Sequence, residues 1–127
     1  MIWTMLQVGL GGAIGAMGRY LTGLGAARLF GTNFPFGTFS ANVIGSFVMG
    51  FVYVILMTRK AEVSPLVPFV MIGILGGYTT FSSFSLDLWG LFDQDRYLAA
   101  GLYLGGTLLL AIMALMAGIS LAKGIFG

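Results

Sequence analysis

Charged residues cut this chain into four long uncharged stretches, and their spacing constrains the fold more than any other feature. Residues 2–18, 29–58, 63–86 and 97–122 contain no Asp, Glu, Lys or Arg and together hold 97 of the 127 residues. A helix needs about 20 mostly apolar residues to cross the hydrocarbon core of a bilayer. The pattern therefore predicts an all-α integral membrane protein with four transmembrane helices, the first continuing past Arg19 toward Ala27. Charged residues make up 8% of the chain, against roughly 25% in soluble domains, and 58% of residues are hydrophobic before the 21 glycines are counted. Little is left for a domain outside the membrane, so residues 1–127 read as a single four-helix membrane domain. The first stretch lacks a basic flank and is too rich in glycine for a cleaved signal peptide. It is expected to stay in the mature chain.

The same composition closes off most chemistry. With no Cys and no His, thiolate or imidazole metal sites, disulfides and nucleophile–histidine catalysis are all excluded. Paired acids, a P-loop and a dinucleotide fingerprint are missing too, and nothing points to an enzyme. The net charge of +2 comes from scattered residues rather than a basic stripe, which argues against a nucleic-acid partner.

Short connectors fall at residues 30–35, 59–62 and 93–96, and Pro35, Pro65 and Pro68 sit where helices begin. Four passes put both termini on the side of the second connector, which gives that side Arg59, Lys60 and Lys123. The other side holds Arg28, Arg96 and, counted generously, Arg19. The positive-inside rule needs a bias to choose an orientation, and here there is almost none. A chain without that bias can insert both ways and pair head to tail, which predicts an antiparallel, dual-topology homodimer. Small residues also recur four apart, at Gly11/Gly15, Ser46/Gly50, Gly73/Gly77 and Gly101/Gly105. That spacing lets a second backbone approach one helix face.

The most informative stretch is Gly76-Gly77-Tyr78-Thr79-Thr80-Phe81-Ser82-Ser83-Phe84-Ser85, midway along the third apolar run. Adjacent glycines followed by aromatic and β-branched residues weaken a helix, so the third span is expected to break near its middle. Irregular backbone at that depth must be buried in protein or line a wet cavity, where its freed carbonyls are natural cation ligands. The alternative is an unbroken helix whose hydroxyls bond back to the preceding turn. Phe81 and Phe84, three apart, project from one face with Ser82 and Ser85 beside them. Their rings are either plain core or, through the positive ring edge, weak anion contacts.

Asn42 lies well inside the second apolar run, where a carboxamide either staples two helices or aims its NH₂ into a pathway. Tyr103 and Thr107, four apart on the fourth run, either donate to an anion or satisfy acceptors on a neighbouring helix. Arg19 is the one cation embedded beside an apolar run, which makes it a functional candidate, although it can also snorkel to the headgroups. Glu62, Asp87, Asp93 and Asp95 are expected in or near connectors and helix ends, too shallow for a proton relay.

These residues together resemble the Fluc family of bacterial fluoride channels, also called CrcB proteins, over essentially the whole chain. The third-run stretch from Gly76 to Ser85 resembles that family's glycine pair, helix break and phenylalanine box, and Gly37-Thr38-Phe39-Ser40-Ala41-Asn42 its second-helix asparagine motif. The resemblance implies passive export of fluoride across the bacterial cytoplasmic (inner) membrane by an antiparallel homodimer with two pores. It assigns a fluoride pathway to Asn42, Phe81, Ser82, Ser83, Phe84, Tyr103 and Thr107, and a vestibule to Arg19. It assigns a structural sodium ion to the backbone carbonyls of Gly76 and Thr79, two from each subunit. Ser83, Asp87 and Ala111 depart from the family's usual Thr, Glu and Ser/Thr, and Ala111 shortens the hydroxyl track beside Thr107.

Two other function classes compete. A small proton-coupled multidrug exporter needs an acidic residue in the first helix, and residues 2–18 have none. A purely structural membrane subunit predicts no transport by the purified chain.

Overall fold

The computed structural model describes residues 1–58 and 64–127, and among them every regular element is helical. The chain runs through α1 (Ile2–Phe30) and α2 (Phe36–Tyr53), which continues as a π-wound turn, Val54–Thr58. A second π-wound segment, Pro68–Leu75, leads into the short α3 (Gly76–Tyr78), followed by α4 (Ser82–Asp93) and α5 (Tyr97–Phe126). The connector carrying Arg59, Lys60 and Glu62 lies outside the described residues, and with it the charge balance expected there.

The helix boundaries follow local chemistry. Gly31, at φ 79°, ends α1, and its N–H donates to the Ala27 carbonyl, because a left-handed residue closes a helix without steric cost only when it lacks a Cβ. Pro35 directly precedes α2, and Pro68 opens the π-wound segment, where a missing N–H removes no ladder bond. Just before it, the Ser64 hydroxyl accepts from the Leu66 N–H at 3.2 Å. The turn between α4 and α5 is fastened by the Arg96 guanidinium, which donates to the Asn33 carbonyl in the first connector.

Among the described residues, three helical stretches are long and apolar enough to cross a membrane: residues 36–57, 68–93 and 97–126. At 29 residues α1 matches them in length, its glycines diluting its hydropathy. Within the most apolar window of the last stretch only 11% of residues are buried inside the chain, and Leu98, Leu102, Leu109, Ile112, Met113 and Met116 are all exposed. That much apolar surface suits lipid or another apolar surface, not water.

The small-residue pairs set the packing. Gly11 and Gly15 of α1 meet Gly73 and Gly77: a Cβ on Gly11 would stand 2.9 Å from the Gly73 Cα, and one on Gly77 would stand 2.6 Å from the Gly12 carbonyl oxygen. A Cβ on Gly15 would run into the Ile74 carbonyl. In the same way Gly50 of α2 admits the backbone at Leu115, and Gly118 of α5 admits the backbone at Phe47. A Cβ on Gly101 or Gly105, the fourth pair, would meet nothing within 4 Å among the described residues. The result is α1 against the segment before residue 79, and α2 against α5.

Candidate functional site

The site starts from the way the backbone leaves and re-enters the helix between Tyr78 and Ser82. Thr79 takes an extended conformation at φ −84° and ψ 156°, and two side chains capture the backbone donors of the next turn. Thr80 N–H donates to Asn42 Oδ1 at 2.8 Å, while Asn42 Nδ2 donates to the Thr80 carbonyl at 2.9 Å. Ser83 N–H donates to Thr80 Oγ1 at 3.2 Å, so Thr80 caps the first turn of α4 from just outside it. A continuing helix would aim Thr80 N–H at the Gly76 carbonyl and Ser83 N–H at the Thr79 carbonyl. Both donors are engaged elsewhere.

Hydroxyl groups divide between the two roles weighed from the sequence. Thr79 Oγ1 donates back to the Leu75 carbonyl at 2.9 Å and Ser85 Oγ to the Phe81 carbonyl at 3.0 Å. Thr80 instead bridges to Ser82 Oγ at 3.3 Å. Tyr78 wedges between helices: its ring lies over Gly18 of α1 and Gly45 of α2, where a Cβ would approach to 3.5 and 3.0 Å, and its phenol meets Thr22 Oγ1 at 2.8 Å.

A cleft of about 410 Å³ opens beside this irregular stretch. Asn42, Gly76, Thr79, Phe81, Phe84 and Thr107 all line it, with Ser46, Thr80, Leu108, Ala111 and Ile112. No lining residue is charged, and Thr107 Oγ1 is buried with no hydrogen-bond partner among the described residues. Phe81 and Phe84 meet edge to face with centroids 5.5 Å apart, Phe84 buried and Phe81 73% exposed.

Other sequence candidates stand elsewhere. Ser82 and Ser83 do not line the cleft. Ser83 faces α1, where its hydroxyl accepts from Arg19 Nη1 at 3.3 Å, and Arg19 Nε donates to the Gly77 carbonyl at 3.3 Å. Tyr103 is fully buried behind Phe84, at 5.0 Å between ring centroids, and packs edge-on to Phe34. Its phenol donates to Asp87 Oδ2 at 3.1 Å. Asp87 therefore lies within α4, partly buried and engaged by the protein interior, rather than at a connector or helix end as the sequence suggested. Uncharged-run boundaries could not show this, because α4 begins only at Ser82 and places Asp87 in its second turn.

Among the described residues no cluster of three His, Cys, Asp or Glu side chains could hold a metal ion. The Gly76 and Thr79 carbonyls, whose helical donors are diverted, are hard oxygen ligands of the type that suits an alkali cation. Thr80, which lines the cleft and accepts from the Ser83 N–H, was not among the candidates picked out from the sequence. Its signal was a Thr three positions before a Ser at the restart of a helix, the spacing of a hydroxyl cap.

The family described as CrcB-like protein, Camphor Resistance (CrcB), matches residues 6–119 of this chain. A relative from Cereibacter sphaeroides, named fluoride-specific ion channel FluC, is 47% identical over 124 residues, covering 98% of each chain. A protein of the same name from Ruegeria sp. is 48% identical over 126 residues, again with 98% of each chain covered. One from Agrobacterium fabrum, also so named, is 40% identical over 119 residues, spanning 94% of this chain and 95% of its own.

Proposed function

The chain belongs to the CrcB family, and from that premise we propose that it is a fluoride-selective channel that lets the ion leave the cell passively. It is not an enzyme. The observation that carries the reading is the cleft beside residues 79–81: it is lined by an amide, hydroxyls, two phenyl rings and aliphatic side chains, with no charged side chain, and holds a buried Thr107 hydroxyl that has no partner among the described residues.

Fluoride is small and strongly hydrated, so a pathway must replace its water with donors. A fixed positive charge in a low-dielectric setting would trap the ion, because attraction there is many times that in water. Neutral donors avoid this, and larger halides fit a narrow donor-lined path poorly. The second N–H of Asn42, the Thr107 hydroxyl and the edges of Phe81 and Phe84 are the groups assigned to meet the ion. Ser82, Ser83 and Tyr103, which stand off the cleft itself, extend the pathway beyond it in this reading, and Arg19 raises the potential at its mouth.

The whole chain acts as one four-pass domain of the bacterial cytoplasmic membrane, its third pass interrupted at residues 79–81. Two copies pair in opposite orientations, so that each dimer has two pores. Support for pairing comes from the exposed apolar face of α5 and from Gly101 and Gly105, where an added Cβ would meet nothing within 4 Å among the described residues. The Gly76 and Thr79 carbonyls of two copies supply four oxygens for a sodium ion. Such an ion offsets unpaired carbonyls that cost several kcal/mol each in lipid and holds the dimer together without taking part in turnover.

The test is fluoride efflux from liposomes containing only this protein, with a potassium ionophore to clamp the voltage. Efflux without a proton gradient, and with chloride excluded, is the expected result. Efflux that stops when the proton gradient is collapsed would assign the chain to coupled carriers instead, and no efflux at all would leave a structural subunit.

A further inference from the structure

Arg19 reaches both sides of the interruption at once. Its Nε donates to the carbonyl of Gly77, in the last turn before the helix stops, and its Nη1 donates to the hydroxyl of Ser83, in the first turn after it restarts. Gly77 adjoins Gly76, and Ser83 adjoins Phe84. Both Gly76 and Phe84 line the uncharged cleft, whereas Arg19 itself does not.

We propose that Arg19 is a positioning residue, a two-pronged clamp from α1 that fixes the spacing between Gly77 and Ser83 and thereby holds the cleft lining in register. The clamp suits its place. The last carbonyls of a helix carry partial negative charge, which favours a cation there. A planar guanidinium presents several donors in a fixed fork, whereas an ammonium is a compact point charge on a flexible stem. Close packing of α1 on this segment, through Gly15 at Ile74 and Gly12 at Gly77, gives the fork a rigid base. Ser83 is held from two directions, its N–H by Thr80 and its hydroxyl by Arg19. Losing either holds α4 less firmly at the turn that carries Phe84.

The clamp rests on fluoride conduction only for its functional readout, since its structural readout does not need transport. A role for charge alone and a role for the fork differ in what lysine can replace. Arg19→Lys, Arg19→Gln, Ser83→Ala and the Arg19→Lys/Ser83→Ala double variant are reconstituted, and fluoride efflux is followed at about 0.03 M and 0.3 M inert salt, where exposed charges are weakly and strongly screened. Amide hydrogen exchange of the same proteins reports on residues 76–84, with α5 as the folding control. The clamp predicts that Arg19→Lys, which keeps the charge, loses efflux about tenfold with the same ratio at both salt concentrations, and that Arg19→Gln loses at least as much and stays impaired at high salt. Exchange at Thr80 and Ser83 rises at least about tenfold while α5 is unchanged, and the double variant is no worse than its weaker parent. Wild-type efflux in Arg19→Lys, or a deficit in Arg19→Gln that closes at high salt, overturns the clamp in favour of charge alone. So does unchanged exchange at residues 76–84, even if the wild-type protein moves no fluoride.

Discussion

The carboxamide of Asn42 and the backbone of Thr80 hold each other through two hydrogen bonds, 2.8 Å from Thr80 N–H to Oδ1 and 2.9 Å from Nδ2 to the Thr80 carbonyl. One side chain on α2 thus satisfies both backbone groups of a residue that has left the helical ladder, as a neighbouring strand would do in a sheet.

Replacing Asn42 with Asp keeps the acceptor and removes the donor. A carboxylate oxygen then faces the Thr80 carbonyl, and charge is placed beside an uncharged cleft. Leaving a buried polar group unsatisfied costs about 1–3 kcal/mol, more when it is charged. Asn42→Asp is expected to abolish fluoride efflux and lower the thermal midpoint in detergent. Transport at the wild-type rate would show that the amide donor is dispensable.

Glycine replacements separate close helix contacts from open surface. Gly15→Ala forces a methyl group into the Ile74 backbone, whereas a Cβ on Gly9 meets nothing within 4 Å. Overpacking of this type costs about 1–3 kcal/mol, and Gly9→Ala gains up to about 1 kcal/mol of helix propensity. The first variant should yield little monodisperse protein, while the second should match or exceed the wild type in a thermal melt. Equal melting of both would mean that α1 does not pack through Gly15.

Phe81 offers a test of pathway against core. Its ring is 73% exposed in this chain and touches Phe84 edge to face, so Phe81→Ile leaves no internal cavity. Folding should be retained while efflux falls about tenfold, which corresponds to ~1.4 kcal/mol on the barrier. A stable variant with undiminished efflux would place the ring outside the ion's path.

Much of this architecture is legible in the residue pattern, and the remainder is hidden for identifiable reasons. Uncharged-run lengths locate the helices, and four-residue spacing identifies Gly11/Gly15 and Gly73/Gly77 as contact faces, because both features depend only on helix geometry and burial. Which pairs meet each other is not local information. Nothing in the spacing of Gly101 and Gly105 distinguishes them from Gly11 and Gly15, yet a Cβ at either would meet nothing within 4 Å among the described residues. The side-chain phase after residue 79 is likewise invisible, since an irregular stretch resets the direction in which each later residue points. Hence Ser83 turns toward Arg19 while Phe84 turns into the cleft, and Asp87 meets the buried Tyr103 phenol. The π winding of residues 68–75 leaves no mark in the composition.

Thr107 separates function from stability most sharply. The residue is only 5% exposed, and its hydroxyl oxygen is buried on the cleft wall without a partner among the described residues. Burying a hydroxyl without a hydrogen bond costs about 1–3 kcal/mol by mutational measures, and valine has nearly the same shape without that group. If the hydroxyl is there only for packing, Thr107→Val changes neither stability nor transport by much. If it is kept for a passing anion, the protein carries an unsatisfied group in the resting state because the ion needs it in transit. Thr107→Val should then melt at the same temperature as the wild type or a few degrees higher, and should conduct fluoride about tenfold more slowly. Thr107→Ser, which retains the donor, should recover most of the rate. Paired thermal melts and liposome efflux read both quantities, and a valine variant that is destabilised yet fully conducting would remove Thr107 from the pathway.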